Sequence, residues 1–134
     1  MTPARILVDT SAWIETIRAA GEERVRAAVS AAAADDRAVI CDMVLLELWN
    51  GARSDEDRRT LRALEERVEC VPTAAEAWRL ACRLAVALRK KGATVPAADL
   101  VIAACAQHHG LELLHRDSHF DRIYRVIKKG QKRR

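Results

Sequence analysis

The architecture is set by one short segment, RILVDTSAWIE at residues 5–15. An apolar run from Arg5 ends in an acidic residue, Asp9, and helix-forming residues follow from Ser11. A short apolar run without alternation is typical of a strand that is buried on both faces of a parallel sheet. Ligands of open parallel sheets bind outside the carboxyl ends of the strands. The segment therefore predicts a strand with Asp9 at the edge of the sheet where a site would form.

The same succession of a short apolar run and a longer helical segment continues through the chain. Strands are predicted at residues 5–9, 38–41, 69–71 and 111–114, and helices at residues 11–20, 21–34, 43–52, 74–91, 96–109 and 118–123. Ser54 is the predicted N-cap of one further helix, and Asp42 that of the helix at 43–52. Strands that alternate with helices predict an α/β fold: a three-layer α/β/α sandwich with a mainly parallel central sheet.

The bulk composition predicts one globular domain over residues 1–134. Half of the residues are hydrophobic and 31% are charged, which is ordinary for a folded chain. No stretch approaches the roughly 20 apolar residues of a membrane helix, and the first nine residues lack the layout of a signal peptide. The four cysteines form no CxxC pair and are expected to be buried, reduced thiols. We therefore expect a cytoplasmic protein with no membrane partner.

Positive charge is concentrated at the C-terminus. Of the formal net charge of +4, residues 122–134 contribute seven positive charges and no negative one, which leaves −3 for residues 1–121. A basic C-terminal tail is predicted at about residues 125–134. Such a run can hold phosphates by releasing counterions, and it can equally be a solvated, frayed terminus.

Four carboxylates stand in surroundings that do not favour charge. Asp9 and Asp117 follow predicted strands, Glu47 interrupts an apolar helical turn, and Asp99 is the only charged residue between Ala93 and Ala106. Each has a structural explanation by itself. Asp9 and Asp117 could cap the helices that follow them, Asp99 could lie in a first helical turn where the dipole favours an acid, and Glu47 could be solvent-exposed.

The combination of the four is more informative than any one of them, provided that the fold brings them together. Two like charges about 4 Å apart repel by about 4 kcal/mol at an effective dielectric constant of about 20. A cluster of four would require divalent cations for neutralisation. All-oxygen ligation suits Mg²⁺, or Mn²⁺, better than zinc.

Four segments resemble, in order and spacing, the acidic motifs of PIN-domain ribonucleases of the VapC toxin type. They are VDTSAWIE (residues 8–15), LLEL followed by Gly51 (residues 45–48), PAADLVIAA (residues 96–104) and LLHRDSHF (residues 113–120). The resemblance covers essentially the whole chain and implies the PIN-like sandwich fold. It also implies the toxin of a type II toxin–antitoxin system, an endoribonuclease that leaves a 5′-phosphate and a 3′-hydroxyl. A homodimer and a cognate VapB-type antitoxin, whose C-terminal segment blocks the acidic groove, are implied as partners.

The resemblance gives roles to the site residues. We expect Asp9 and Asp99 to hold the principal metal ion, with Glu47 and Asp117 completing or orienting the site. Thr10 and Ser11 are candidate contacts to the RNA substrate, and their hydroxyls could equally bond a carboxylate or cap the helix. Arg116 and the basic C-terminus are candidates for guiding RNA toward the acidic pocket.

The last motif departs from the family pattern at one position. Many relatives carry a second acid just before the phenylalanine, where this chain has His119. Asp121 follows Phe120 and is a candidate replacement, or equally a surface residue. His115 and His119 flank Asp117, and one of them, with His119 preferred, is a candidate for assisting proton transfer. The departure makes a second metal ion less expected than the first.

Other functions give different patterns. A haloacid-dehalogenase-like phosphohydrolase usually needs a second acid two residues after the strand-end aspartate, where this chain has Ser11. A response-regulator receiver normally has adjacent acids near the first strand. The remaining alternative is a non-catalytic basic module that binds RNA or protein. That module would depend on the basic tail and would tolerate Asp9→Asn.

Overall fold

The computed structural model describes residues 4–17 and 21–132. Four strands alternate with seven helices in the described part of the chain. In order they are β1 (Ile6–Val8), α1 (Thr10–Ile17), α2 (Glu23–Ala34), β2 (Ala38–Cys41), α3 (Asp42–Asn50), α4 (Asp55–Arg67), β3 (Glu69–Val71), α5 (Ala75–Lys90), α6 (Ala97–His108), β4 (Glu112–Leu114) and α7 (Ser118–Lys132).

The four strands form one parallel sheet in the order β3-β2-β1-β4. β1 lies in the interior of the sheet, with Leu7 paired to Val39 on one side and to Leu113 on the other. Leu7 is fully buried, as expected for a strand that is covered on both faces. The predicted α/β fold with a parallel central sheet is confirmed. Because all four strands run in the same direction, their carboxyl ends share one edge.

α6 is the most deeply buried helix among the described elements. Every residue from Asp99 to Ala106 is buried, and α5, α3, β4 and α7 pack against the helix. A helix that is covered on most sides needs apolar residues on most sides. Asp99 is therefore the only charged side chain at the start of an otherwise apolar helix.

α7 is longer than the predicted helix at 118–123. Phe120 and Ile123 are fully buried and Ile127 is partly buried, so an apolar face continues at helical spacing. The helix runs to Lys132, and the basic segment predicted as a tail is helical over residues 125–132. Residues 133 and 134 lie outside the described residues, as do residues 18–20 at the predicted end of α1.

Three smaller predictions have mixed outcomes. Ser54 caps α4 by accepting a hydrogen bond from the Asp57 N–H at 3.0 Å, which confirms that prediction. Asp42 is not an N-cap, because α3 begins at Asp42 itself and its carboxylate lies 3.4 Å from the thiol of Cys70. Burial of all four cysteines was wrong, since Cys70 and Cys82 are exposed. No helix in the described ranges is both long enough and apolar enough to cross a bilayer.

Candidate active site

Asp9 lies where the carboxyl ends of β1 and β4 meet. Its backbone N–H donates a hydrogen bond to the Leu114 carbonyl oxygen at 2.9 Å, and its carbonyl oxygen accepts from the first turn of α1. The residue is only 3% exposed. The change from strand to helix directly after Asp9 thus holds a carboxylate at a buried position at the edge of the sheet.

Ser11 fixes the orientation of this carboxylate. Asp9 Oδ2 accepts hydrogen bonds from the backbone N–H of Ser11 at 3.0 Å and from its hydroxyl at 2.6 Å. The same Ser11 hydroxyl oxygen accepts from the Arg116 backbone N–H at 2.8 Å. Asp9 Oδ1 is buried and has no hydrogen-bond partner within the described ranges. A buried carboxylate oxygen without a partner is costly unless a cation or a ligand meets it.

Three further side chains converge at the same edge: Asp99, Asp117 and His119. His119 Nδ1 lies 2.8 Å from Asp99 Oδ2 and 3.0 Å from Asp117 Oδ1, so a proton on Nδ1 can be donated to either carboxylate. Asp117 Oδ1 also accepts the His119 backbone N–H at 3.0 Å. The ligand atoms of the three residues all lie within 4.8 Å of one another. α6, the loop after β4 and the first turn of α7 supply these groups.

The environment of Asp99 is unfavourable for a negative charge. Burial raises the pKa of the Asp99 carboxyl above its ordinary value, and the charges of Asp117 and Asp9 act in the same direction, against the hydrogen bond from His119. In the described part of the chain, His119 is the only basic side chain within 4 Å of the carboxylates of Asp99 or Asp117, and it carries a positive charge only when it is protonated. The cluster therefore holds more negative charge than the protein itself balances.

Glu47 takes its position from α1. Its Oε1 accepts a hydrogen bond from the Thr10 hydroxyl at 2.7 Å, which links the middle of α3 to the first residue of α1. Glu47 also lines an apolar groove of about 250 Å³ with Ile14, Ile17 and Leu48 among its walls. Glu47 is outside the group of three ligand atoms described above.

Arg116 and Asp121 have surroundings that bear on their candidate roles. The Arg116 side chain forms ion pairs with Glu15, at 3.8 Å, and with Glu22, so it is neutralised within the chain. Asp121 is exposed on α7 and does not join the three-residue cluster. His119 itself reaches the cluster, from the position where relatives were expected to carry an acid.

The residues present fit a divalent cation. Carboxylate oxygens are preferred ligands of Mg²⁺ and Mn²⁺, and a histidine nitrogen is also an acceptable ligand for Mn²⁺. Asp9 Oδ1 is buried without a partner, and the carboxylates of Asp99 and Asp117 are close together. A bound cation would satisfy the first group and relieve the repulsion between the others.

Sequence reasoning missed Glu15 and gave too little weight to the position of Ser11. Glu15 lies one helical turn after Ser11, so both face the loop that carries Arg116. That spacing was visible in the sequence. The contact with the loop that carries Arg116 could not be predicted, because this loop lies about a hundred residues further along the chain.

The sequence pattern of the PIN domain matches residues 6–126, and the chain belongs to the PIN domain family. Within that family it is similar to the VapC ribonuclease Mb1587 of Mycobacterium bovis. The two are 38% identical over 129 residues, which cover 90% of this chain and 92% of the relative.

Solved structures agree with this assignment. VapBC2 from Rickettsia felis, bound to a DNA fragment from its promoter, has a TM-score of 0.73 at 20% identity over 87% of this chain and 91% of that one. VapBC-5 from Mycobacterium tuberculosis, a member of the VapBC family of toxin–antitoxin systems, has a TM-score of 0.62 at 27% identity over 86% of each chain. The fold is shared with both.

Proposed function

We propose that this chain is the ribonuclease toxin of a VapBC-type toxin–antitoxin pair and that it hydrolyses RNA phosphodiester bonds with a divalent cation, Mg²⁺ or Mn²⁺. The observation that carries the proposal is the convergence of Asp99, Asp117 and His119, with the charge of Asp9 acting on Asp99 and with Asp9 Oδ1 buried and unpartnered among the described residues. The similarity to VapC ribonucleases over 90% of the chain supports it.

Asp9 and Asp99 would hold the cation, and Asp117 and Glu47 would complete or orient the site. A divalent cation in such a site supplies positive charge for a phosphodiester and acidity for a water molecule. The Ser11 hydroxyl occupies Asp9 Oδ2 and leaves Oδ1 available to a ligand. Thr10 restricts Glu47 through one oxygen and leaves the other available.

His119 would keep Asp99 and Asp117 in place and move a proton at Nδ1. Its contacts to both carboxylates, at 2.8 and 3.0 Å, hold the two groups at a fixed separation when no cation is bound. Asp121, which is exposed, would have no part in the reaction.

Thr10 and Ser11 were candidates for bonding either a carboxylate or a phosphate, and Arg116 was a candidate for guiding RNA; their contacts support different roles. Thr10 and Ser11 would act mainly as positioning residues, because their hydroxyls are engaged with Glu47 and Asp9. Arg116 would orient the loop after β4 through Glu15 and Glu22 rather than bind phosphate with a free charge.

The proposed partners are RNA, a VapB-type antitoxin and a second copy of the chain, with residues 1–134 acting as a single domain. The apolar groove beside Glu47 supports an antitoxin segment as its occupant, because exposed Ile14 and Ile17 border a proposed site residue. Solved neighbours of the same fold are toxin–antitoxin complexes.

Cleavage of labelled RNA by purified, antitoxin-free protein tests the proposal. We expect cleavage in Mg²⁺ or Mn²⁺, none in EDTA, and a loss of about a hundredfold or more in Asp99→Asn, because the variant removes a cation ligand. The matched control is Asp36→Asn. Asp36 is exposed at a positive φ of 56°, a backbone conformation that asparagine also tolerates.

The control should cleave like the unchanged protein. Cleavage that persists in EDTA and in Asp99→Asn would refute the proposed site. Loss of cleavage in Asp36→Asn as well as in Asp99→Asn would mean that the loss of activity does not come from the acidic cluster.

A further inference from the structure

One surface of α7 is not used by the proposed chemistry. Phe120, Ile123 and Ile127 direct one face of the helix to the core, and the first two are fully buried. At about 100° per residue, the side chains opposite this face belong to Arg122, Arg125 and Lys129. All three are exposed. We call these three residues the α7 basic stripe.

The side chains of the α7 basic stripe form no salt bridges among the described residues, and Asp121, directly before Arg122, is the acidic residue in the first turn of the helix. By contrast, Arg5, Arg58 and Arg116 elsewhere are paired with acids. Residues 122–129 contain four basic residues and no acidic one. α4 has a different surface, in which Asp55, Glu56, Asp57, Glu65 and Glu66 alternate with arginines.

The position of the stripe relative to the candidate site is defined by the same helix. His119, in the first turn of α7, contacts Asp99 and Asp117, and Arg122 follows one turn later. With a rise of about 1.5 Å per residue, the stripe extends about 10 Å along the helix from Arg122 to Lys129. A row of cations therefore begins beside the acidic cluster and leads away from it.

We propose that the α7 basic stripe binds the phosphates of single-stranded RNA that flanks the bond to be cleaved. This inference rests on the proposed function. Residues 1–121 have a net charge of −3 and the site itself is acidic, so a polyanion approaching it is repelled. Cations on a neighbouring rigid helix offset that repulsion and release counterions from the RNA.

The test is RNA binding as a function of salt concentration. The dissociation constant of a labelled single-stranded 12-nucleotide RNA is measured in EDTA, which prevents cleavage, between 50 and 200 mM NaCl. We compare the unchanged protein with the triple variant Arg122→Gln, Arg125→Gln, Lys129→Gln. The logarithm of the association constant should fall less steeply with the logarithm of the NaCl concentration in the variant. The slope should be shallower by about 2, because each of three lost phosphate contacts contributes about 0.7. Over this range the unchanged protein should lose about 20-fold more affinity than the variant.

Two control variants distinguish an effect of the α7 basic stripe from an effect of net charge or of altered folding. Arg59→Gln, Arg62→Gln, Arg67→Gln removes the same charge from the exposed face of α4, which packs against α3 and β3, and should leave the slope unchanged. Arg122→Lys with Arg125→Lys keeps the charges and should retain the original slope. An α7 triple variant that binds like the unchanged protein, or an α4 variant that weakens binding equally, would overturn the proposal.

The inference and the proposed function fail in different ways. If the unchanged protein binds RNA with the predicted dependence on the α7 basic stripe but never cleaves it with any divalent cation, the proposed ribonuclease activity is wrong. The proposed RNA binding by the stripe is then still supported. If the protein cleaves RNA and the stripe variant has the same salt dependence of RNA binding as the unchanged protein, only the stripe proposal is wrong. Binding to anionic phospholipid vesicles but not to RNA would also overturn the stripe proposal.

Discussion

At the scale of single residues, Ser11 connects two parts of the candidate site. Its hydroxyl donates to Asp9 at 2.6 Å and accepts from the Arg116 N–H at 2.8 Å. One oxygen atom thereby links the loop after β1 to the loop after β4. A residue of this kind affects activity through the carboxylate that it orients and also contributes to stability.

Ser11→Ala should show both effects. We expect a loss of about 2 kcal/mol in the free energy of unfolding, because a hydrogen bond to a carboxylate and a partly buried N–H contact disappear together. RNA cleavage at saturating substrate should fall by about tenfold, since Asp9 Oδ2 loses the hydroxyl bond and keeps only the Ser11 backbone N–H to orient it. Urea unfolding and single-turnover cleavage measure the two quantities.

Ser30→Ala is the matched control for this substitution. Ser30 is exposed on α2, and its loss should leave stability and cleavage unchanged. Ser11→Ala with full cleavage activity would show that Asp9 keeps its orientation without the hydroxyl, contrary to the role assigned here.

At the scale of elements, α7 joins the core to the candidate site. Its first turn supplies His119, and Phe120 and Ile123 anchor it at full burial. The His115 ring also packs against Phe120, with ring centroids 5.0 Å apart. The helix is thus part of the cooperative structure and not an appended tail.

Ile123→Ala tests this view of α7. Removing a fully buried aliphatic side chain should lower the free energy of unfolding by about 2–5 kcal/mol, through lost burial and the cavity left behind. Lys128→Ala, an exposed position on the same helix, should change it by less than about 0.5 kcal/mol. Urea denaturation followed by far-UV circular dichroism provides the measurement, and equal small effects would mean that α7 detaches without cost.

At the scale of the whole molecule, the candidate cation site connects parts of the chain that are distant in sequence. Asp9 follows β1, Asp99 belongs to α6 and Asp117 precedes α7. A ligand that binds only the folded arrangement stabilises the entire fold through mass action.

Divalent cations should therefore raise the stability of this protein. At a free Mg²⁺ or Mn²⁺ concentration of about 100 times the dissociation constant, we expect a gain of about 2.7 kcal/mol. Asp99→Asn should gain little from either cation. Thermal unfolding in EDTA and in increasing metal concentrations gives the comparison, and an identical gain in both proteins would place the cation elsewhere.

Local patterns in the sequence located the strands and most of the helices, and they singled out Asp99 and Asp117, whose carboxylates lie close together in the structure. Short apolar runs and helical periodicity located all four strands and the start of α7, because burial of each strand and helix face requires those patterns. Asp99 stood out since a charge is rare in an apolar helix. The end of α7 was missed because its basic residues resembled a solvated terminus.

Only the tertiary structure decided how these residues meet. Asp9 and Leu114 are neighbours because β4 pairs in parallel with β1, and that pairing brings Ser11 to the Arg116 N–H and His119 to Asp99. It also decided that Arg116 is neutralised by Glu15 and Glu22 and that Asp121 faces solvent. The tendency of a segment to be buried and the spacing of its apolar residues are local properties that can be read directly from the sequence. The distances between side chains 20 to 105 residues apart depend on strand order and helix packing, which no local pattern contains.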